Sequence, residues 1–198
     1  MKNVEGYRKM RALILAMLIA AIIASGASMA IGPEDLIAGK DDDGGDVGRQ
    51  EEIDWANLKP ETVLNAISIL EIDPTGKKAA AAMAVVMNFT EASENVLVIL
   101  NSGYFPWLDR KAKPDLADGQ LLAAFVAGNV RPQLQKQVNK DHAAEGLDFM
   151  LRTYAKLRAK KLVKKIPECE KWSKLDMAGL RKLVIEIRGK ENDQPDAP

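Results

Sequence analysis

The chain has 198 residues, of which 47% are hydrophobic and 28% are charged, and its 28 basic and 28 acidic side chains leave no formal net charge. This length and composition predict one domain that is large enough to bury a core. The single cysteine, Cys169, excludes a fold held together by internal disulfide bonds.

The first thirty residues have the order of a secretory signal peptide. Met1–Arg11 carries four basic side chains and one acid, Ala12–Ala24 is an unbroken apolar run, and small residues follow. These small residues fit cleavage after Ala27 or after Ala30. An uncleaved leader would instead anchor the chain in the inner membrane through residues 12–31. Because the basic end precedes the apolar run, the body is expected outside the cytoplasm in either case, in the periplasm or the extracellular space.

Residues 31–54 predict a disordered acidic linker. They contain few apolar side chains and include the run from Asp41 to Asp46, so they cannot offset the entropy lost on ordering. The run does not fit the spacing of an EF-hand, because glycine or an apolar residue falls where acids are required. We therefore expect a solvated tether and no metal site.

From Trp55 onwards, apolar residues recur at helical spacing and no segment alternates convincingly with period two. Helix starts are predicted at Pro60, Asp73-Pro74, Pro114-Asp115, Lys140-Asp141, Ile166-Pro167 and Asp176. The second of these helices is predicted to run to Leu100, and the last to end at Gly189 before a frayed tail at residues 190–198. The sequence thus predicts an all-α domain over residues 55–189, with five or six helices packed as a bundle or a short array of helical hairpins.

An aromatic cluster lies in the connection that follows the stop signal Asn101–Gly103. Tyr104, Phe105 and Trp107 stand close together in a chain in which only 5% of residues are aromatic. One interpretation is a loop that plugs the end of the core. The other is the rim of a groove for a partner, where Tyr and Trp are enriched. We treat these three residues as candidates for partner binding.

The neutral total conceals an uneven charge distribution. Residues 31–120 carry 8 basic and 17 acidic side chains, whereas residues 152–188 carry 12 basic and 4 acidic ones. Either the surface is dipolar and its two halves face each other or solvent, or the basic half docks an envelope protein or another anionic surface. On the second interpretation, the electrostatic contacts come from Arg158, Lys161, Lys164 and Lys165.

The sequence contains no recognisable catalytic, metal, nucleotide or cofactor motif. His142 follows Asp141 in the first turn of a predicted helix, which predicts a surface residue and no general base. Glu91 and Glu94 project from one helix, so no cleft would separate them as a glycosidase requires. Cys169 lies between two glutamates, which disfavours a thiolate. An exported chain without base-stacking motifs is also not expected to bind nucleic acid.

These observations favour an exported, non-enzymatic helical protein that binds another macromolecule in the cell envelope or periplasm. A second hypothesis is a carrier that holds a small hydrophobic ligand between helices, in a cavity lined by Met83, Met87 and Phe125. A third is an enzyme without a readable motif, which would gather carboxylates from distant helices into one cleft.

Overall fold

The computed structural model describes residues 53–108 and 115–192, with side chains as far as residue 189. Its helices are α1 (Pro60–Ile72), α2 (Ala79–Ala92), α3 (Leu116–Lys136), α4 (Ala143–Ala159), α5 (Pro167–Trp172) and α6 (Met177–Asn192), with short 3-10 turns at Trp55–Asn57 and Ser102–Tyr104. The described residues contain no strand, which confirms the all-α prediction. The predicted leader, most of the linker and the end of the tail lie outside the described residues.

Helix α3 lies at the centre of the domain, because every residue from 121 to 130 is buried. It crosses α4 at two glycines. A Cβ atom on Gly128 would lie 2.5 Å from Phe149 Cβ and 2.6 Å from the carbonyl oxygen of Glu145. A Cβ atom on Gly146 would lie 2.8 Å from the carbonyl oxygen of Phe125. The two backbones therefore approach more closely than any side chain would permit.

Most helix starts agree with the local sequence signals. Pro60 and Pro167 are the first residues of α1 and α5. Asp115 precedes α3 in a capping box, in which its side chain accepts the Asp118 N–H at 3.1 Å and the Asp118 side chain accepts the Asp115 N–H at 2.8 Å. Asp176 caps α6 by accepting the Gly179 N–H at 2.7 Å. These caps depend on residues three apart or fewer, so the sequence is sufficient to predict them.

Several predicted boundaries are wrong. Asp73 ends α1 and does not begin the next helix, because its carboxylate accepts both the N–H and the hydroxyl of Thr75, at 3.1 and 2.8 Å, and holds a turn. Helix α2 then begins only at Ala79. Gly128-Asn129 and Pro132 are sequence signals for a helix end or a kink, but helix α3 continues through them to Lys136.

Helix α2 ends at Ala92 and not at Leu100. The segment Val96–Leu100 belongs to no helix, and its alternate residues Leu97 and Ile99 form hydrogen bonds to one side, which is the pattern of an extended chain. The Leu97 N–H donates to Gln133 Oε1 at 2.8 Å, and Gln133 Nε2 donates to the Leu97 carbonyl at 2.9 Å. The Ile99 N–H donates to Asp141 Oδ1 at 2.9 Å. Side chains from distant parts of the chain thus satisfy one side of this backbone and make an extended conformation stable in place of another helical turn.

Candidate functional site

The aromatic cluster belongs to the core. The exposed fractions of Tyr104, Phe105 and Trp107 are 0%, 2% and 3%. The rings of Tyr104 and Phe105 lie 5.2 and 5.3 Å from that of Phe125, and Trp107 Nε1 donates to Asp118 Oδ1 at 3.2 Å. Side chains this deeply buried offer no surface to a partner. They pack within the core, which agrees with the interpretation of this cluster as a loop that plugs the core. A contact surface would therefore lie elsewhere.

A carboxylate at the end of α1 forms ion pairs with two basic residues of the central helices. Glu71 lies 2.7 Å from Arg131 of α3 and 2.5 Å from Arg152 of α4, and both guanidinium carbons lie 5.2 Å from the centre of the Phe149 ring. The hydrogen bond from Arg131, aided by that from Arg152, lowers the pKa of Glu71 to about 2. These ion pairs therefore join three helices through one carboxylate.

The turn after α1 binds two further basic residues, Lys156 of α4 and Lys160, which directly follows α4. Lys160 Nζ lies 2.9 Å from Asp73 Oδ1, and this contact, with those from Thr75, lowers the pKa of Asp73 to about 2. Lys156 Nζ donates to the carbonyls of Glu71 and Ile72, the latter at 3.1 Å. Acids and carbonyls of the first half of the chain thus pair with bases of the second half, as the first interpretation of the charge asymmetry expects.

Arg158 binds the loop that follows α4. Its Nη1 donates to the Val163 carbonyl at 3.0 Å, and its Nε lies 3.8 Å from Glu170. Tyr154 acts beside it, because its hydroxyl donates to Glu170 Oε1 at 2.7 Å and accepts the Ile166 N–H at 3.1 Å. Burial, together with the hydrogen bond to Glu170, raises the pKa of Tyr154. Arg158 therefore holds the loop in place, and its charge is already engaged.

The other three predicted basic contacts form what we call the lysine surface: Lys161, Lys164 and Lys165. All three are exposed, and no ion pair or side-chain hydrogen bond joins them to any residue in the described ranges. Val163 and Ile166 alternate with them and are buried, with exposed fractions of 7% and 5%. The loop is thus fixed to the core by its apolar side chains and presents its lysines outwards.

Lys161 has a left-handed backbone with a φ of 58°. It follows α4 in a turn in which the Leu162 N–H donates to the Leu157 carbonyl at 2.9 Å. Glycine is the usual residue at this point of a helix end, because side chains strain the left-handed region. Gln137 occupies the same position after α3, with a φ of 53° and a 3.0 Å bond from the Val138 N–H to the Gln133 carbonyl.

A buried polar network is the part of the site region that the sequence analysis missed. Asn129 and Gln133 are 0% and 1% exposed, and Gln133 Nε2 donates to Asn129 Oδ1 at 2.9 Å. Asn129 Nδ2 donates to Asp141 Oδ1 at 2.8 Å. Arg188 of α6 pairs with Asp141 Oδ2, and its Nε donates to the hydroxyl of Tyr104 at 3.0 Å. The signal in the sequence is the spacing of two amides one turn apart within an apolar helix, but Gly128-Asn129 is also a common signal for a helix end.

This network is structural in character, because its members satisfy one another and clamp the extended segment. Asn129 Oδ1 also accepts the His142 N–H at 2.9 Å.

His142 lies at the start of α4 with only 15% of its side chain exposed, which contradicts the predicted surface position. Its Nδ1 lies 3.6 Å from Glu145, and its buried Nε2 has no hydrogen-bond partner. No nucleophile is hydrogen-bonded to it within the described residues.

The residues expected to line a carrier's cavity are packed in the core. Met83, Met87 and Phe125 are 7%, 8% and 0% exposed. A shallow surface depression lies elsewhere, lined by Glu71, Phe149, Arg152, Thr153 and Lys156, and it encloses no space for a ligand. Its charged side chains already bind one another or the backbone of α1, so this depression does not support the carrier hypothesis.

Three further observations concern thiol chemistry, metal binding and membrane spanning. Cys169 is fully buried, and burial, together with Glu168 and Glu170, raises the pKa of its thiol to about 12. In the described ranges, no group of three or more His, Cys, Asp or Glu side chains is arranged to hold a metal ion. No helix in those ranges is both long and apolar enough to cross a membrane.

The chain matches no protein-family model, and no curated protein or solved structure is significantly similar to it. A functional proposal for this chain therefore depends on the geometry described above.

Proposed function

We propose that the protein is an exported, non-enzymatic helical module that binds an acidic protein of the cell envelope through the lysine surface. The observation that carries this proposal is the contrast between neighbouring cations. Arg152, Lys156, Arg158 and Lys160 are engaged within the fold, whereas Lys161, Lys164 and Lys165 have no partner among the described residues. The export signal in the first thirty residues supplies the compartment.

The electrostatics of these lysines suit a transient, salt-sensitive contact. Exposed ion pairs contribute only about 0.2–1 kcal/mol each, so three lysines give modest affinity and mainly accelerate encounter with an acidic surface. Exposed pairs are also screened by salt, because the Debye length falls from about 10 Å at 0.1 M to about 3 Å at 1 M ionic strength. Binding through this surface should therefore weaken steeply as salt is added.

The geometry of the loop supports the same proposal. Val163 and Ile166 anchor the loop in the core, so the three lysines lose little backbone entropy on binding. Lys161 adopts its left-handed conformation at a cost of about 1–2 kcal/mol in backbone strain.

The test is charge reversal with a matched control. The variant Lys161→Glu/Lys164→Glu/Lys165→Glu reverses the lysine surface, and Lys77→Glu/Lys78→Glu/Lys136→Glu reverses three exposed lysines elsewhere. Each protein is used as bait in the native envelope fraction at low and at high salt. We expect wild type and the control to retain the same acidic protein at low salt and to release it at high salt.

The reversed variant is expected to lose this protein under both conditions. Retention of the partner by the reversed variant would contradict the proposal. A parallel assay with anionic lipid vesicles addresses the other anionic surface. Co-sedimentation that depends on the same three lysines, with no protein retained, would assign the lysine surface to lipid head groups.

A further inference from the structure

The extended segment Val96–Leu100 has two backbone edges, and the fold uses one of them. In an extended chain, the N–H and C=O groups of successive residues point to opposite sides. The N–H and C=O of Leu97 bind Gln133, and the N–H of Ile99 binds Asp141. We call this side the inner edge, and the opposite side, which carries the polar groups of Val96, Val98 and Leu100, the outer edge.

The outer edge is unpaired within the described part of the chain. No hydrogen bond there reaches the N–H or C=O groups of Val96, Val98 or Leu100. Buried backbone groups are paired in more than about 90% of cases, so unpaired ones are expected to face solvent. The side chains of Leu97 and Ile99 are also 45% and 44% exposed. The segment thus combines exposed apolar side chains with an open strand edge.

Native proteins usually block such an edge with Lys, Pro or a covering element. None of these residues occurs in Asn95–Asn101, which reads Asn-Val-Leu-Val-Ile-Leu-Asn. The seven residues carry no charge and include neither Pro nor Gly, which is the composition of segments that pair with identical copies. The pattern also reads nearly the same in both directions, so antiparallel pairing about a two-fold axis places apolar residues opposite apolar residues and Asn opposite Asn.

We infer that the outer edge pairs with the same edge of a second copy of this chain, as an antiparallel two-stranded ladder. The two-fold axis passes between the two Val98 residues. Leu97 then lies opposite Ile99 of the partner subunit, and Asn95 opposite Asn101 of the partner subunit. No like charges meet in this register. The outer-edge groups of Val96, Val98 and Leu100 on both copies form about six hydrogen bonds.

The small area of this contact predicts a weak dimer. Stable protein interfaces bury about 1,200–2,000 Å². One pair of seven-residue strands, each about 23 Å long at about 3.3 Å per residue, falls short of that area. The dimer is therefore weak, with dissociation in the micromolar range or above, and forms only as concentration rises. The inference concerns a surface other than the lysine surface and stands independently of the proposed function.

Sedimentation velocity over a range of concentrations tests the pairing. Val98→Pro removes an outer-edge donor that the fold does not use, and Leu97→Lys/Ile99→Lys places charges on the two exposed side chains of the edge. Ile185→Lys is the control, because Ile185 is 71% exposed on α6. Circular dichroism establishes that each variant is folded.

We expect the sedimentation coefficient of wild type and of Ile185→Lys to rise with concentration, and that of the two edge variants to remain monomeric. A wild type that stays monomeric up to millimolar concentration would overturn the inference. Association that persists in both edge variants would overturn it as well, because the contact would then lie elsewhere.

Oxidative cross-linking tests the register. Leu97→Cys and Ile99→Cys are prepared as separate proteins, and Cys169 is left in place because it is buried. Directly opposed residues of a pair that exchanges no hydrogen bonds have Cα atoms about 4.5 Å apart, within the range of a disulfide, whereas diagonal ones lie at about 7–8 Å. We expect disulfide dimers in the mixture of the two variants and few in either alone. Equal yields in all three samples would exclude this register.

Discussion

Gln133 binds the backbone of Leu97 as a neighbouring β-strand would. Its amide accepts the Leu97 N–H at 2.8 Å and donates to the Leu97 carbonyl at 2.9 Å. The same side-chain nitrogen donates to Asn129 Oδ1 at 2.9 Å. One buried side chain thus provides the pairing that an extended segment requires in a domain whose described residues contain no sheet.

Gln133→Ala should destabilise the domain strongly. The substitution leaves the two backbone groups of Leu97 and the oxygen of Asn129 with fewer partners, and each unsatisfied buried group costs about 1–3 kcal/mol. We expect a loss of about 2–4 kcal/mol in the free energy of unfolding, measured by urea denaturation. Gln135→Ala, at an exposed position of the same helix, is the control and should change it by less than about 0.5 kcal/mol. Equal losses for both would show that the clamp contributes nothing.

Substitutions at the two left-handed helix ends, Lys161 and Gln137, distinguish an effect on stability from an effect on binding. Lys161→Gly and Gln137→Gly each relieve a strained backbone and should raise the free energy of unfolding by about 0.5–1 kcal/mol. Only Lys161→Gly removes a charge from the lysine surface, so only this variant should weaken salt-sensitive binding to the envelope partner. Thermal denaturation and the pulldown measure the two effects. A Gln137→Gly variant that lost binding to the same extent would remove the argument for Lys161.

Stability should fall in acid because Glu71 is paired. Its pKa is about 2 in the folded state and 4.5 in the ordinary case, so its contribution is present above about pH 4.5 and is lost as pH falls through about 2. We expect Glu71→Gln to lower stability at neutral pH and to flatten its dependence on pH between these values. Glu186→Gln, at an exposed position of α6, should leave the profile unchanged. Urea denaturation at a series of pH values compares the three proteins.

A single methyl group added where α3 crosses α4 should destabilise the domain. Gly128→Ala places a Cβ atom 2.5 Å from Phe149 Cβ and 2.6 Å from a backbone oxygen of α4, so the helices must move apart. Overpacking of this kind costs about 1–3 kcal/mol. Gly119→Ala in the same helix meets no atom within 4 Å and should stabilise the domain by about 0.5–1 kcal/mol. Opposite signs in the two melting temperatures would confirm the close approach, and a neutral Gly128→Ala would refute it.

The sequence predicts features that depend on near neighbours and fails where distant residues decide. Pro60, Asp115 and Asp176 mark helix starts correctly because their caps are local. The segment Val96–Leu100 was expected to be helical because its apolar pattern continues that of α2. Its conformation depends on Gln133 and Asp141, which lie 36 and 42 residues further along the chain from the groups they bind.

The same reasoning applies to the candidate contact residues. The sequence identifies an aromatic cluster and a basic segment, but it does not show that Phe125 takes Tyr104 and Phe105 into the core. It also does not show which cations are already engaged. Arg158 differs from Lys164 only because the fold places a carbonyl and Glu170 within its reach. Availability for binding is a property of the tertiary structure, which a list of charges does not contain.

The carboxylate of Asp141 has a consequence for how the domain opens. It accepts bonds from Ile99 of the extended segment and Asn129 of α3, and it pairs with Arg188 of the last helix. Detachment of α6 therefore removes a partner from the group that holds the segment near residue 99. Amide hydrogens near Ile99 and those of α6 should exchange with solvent at similar rates, as members of one cooperative unit whose parts are far apart in the chain.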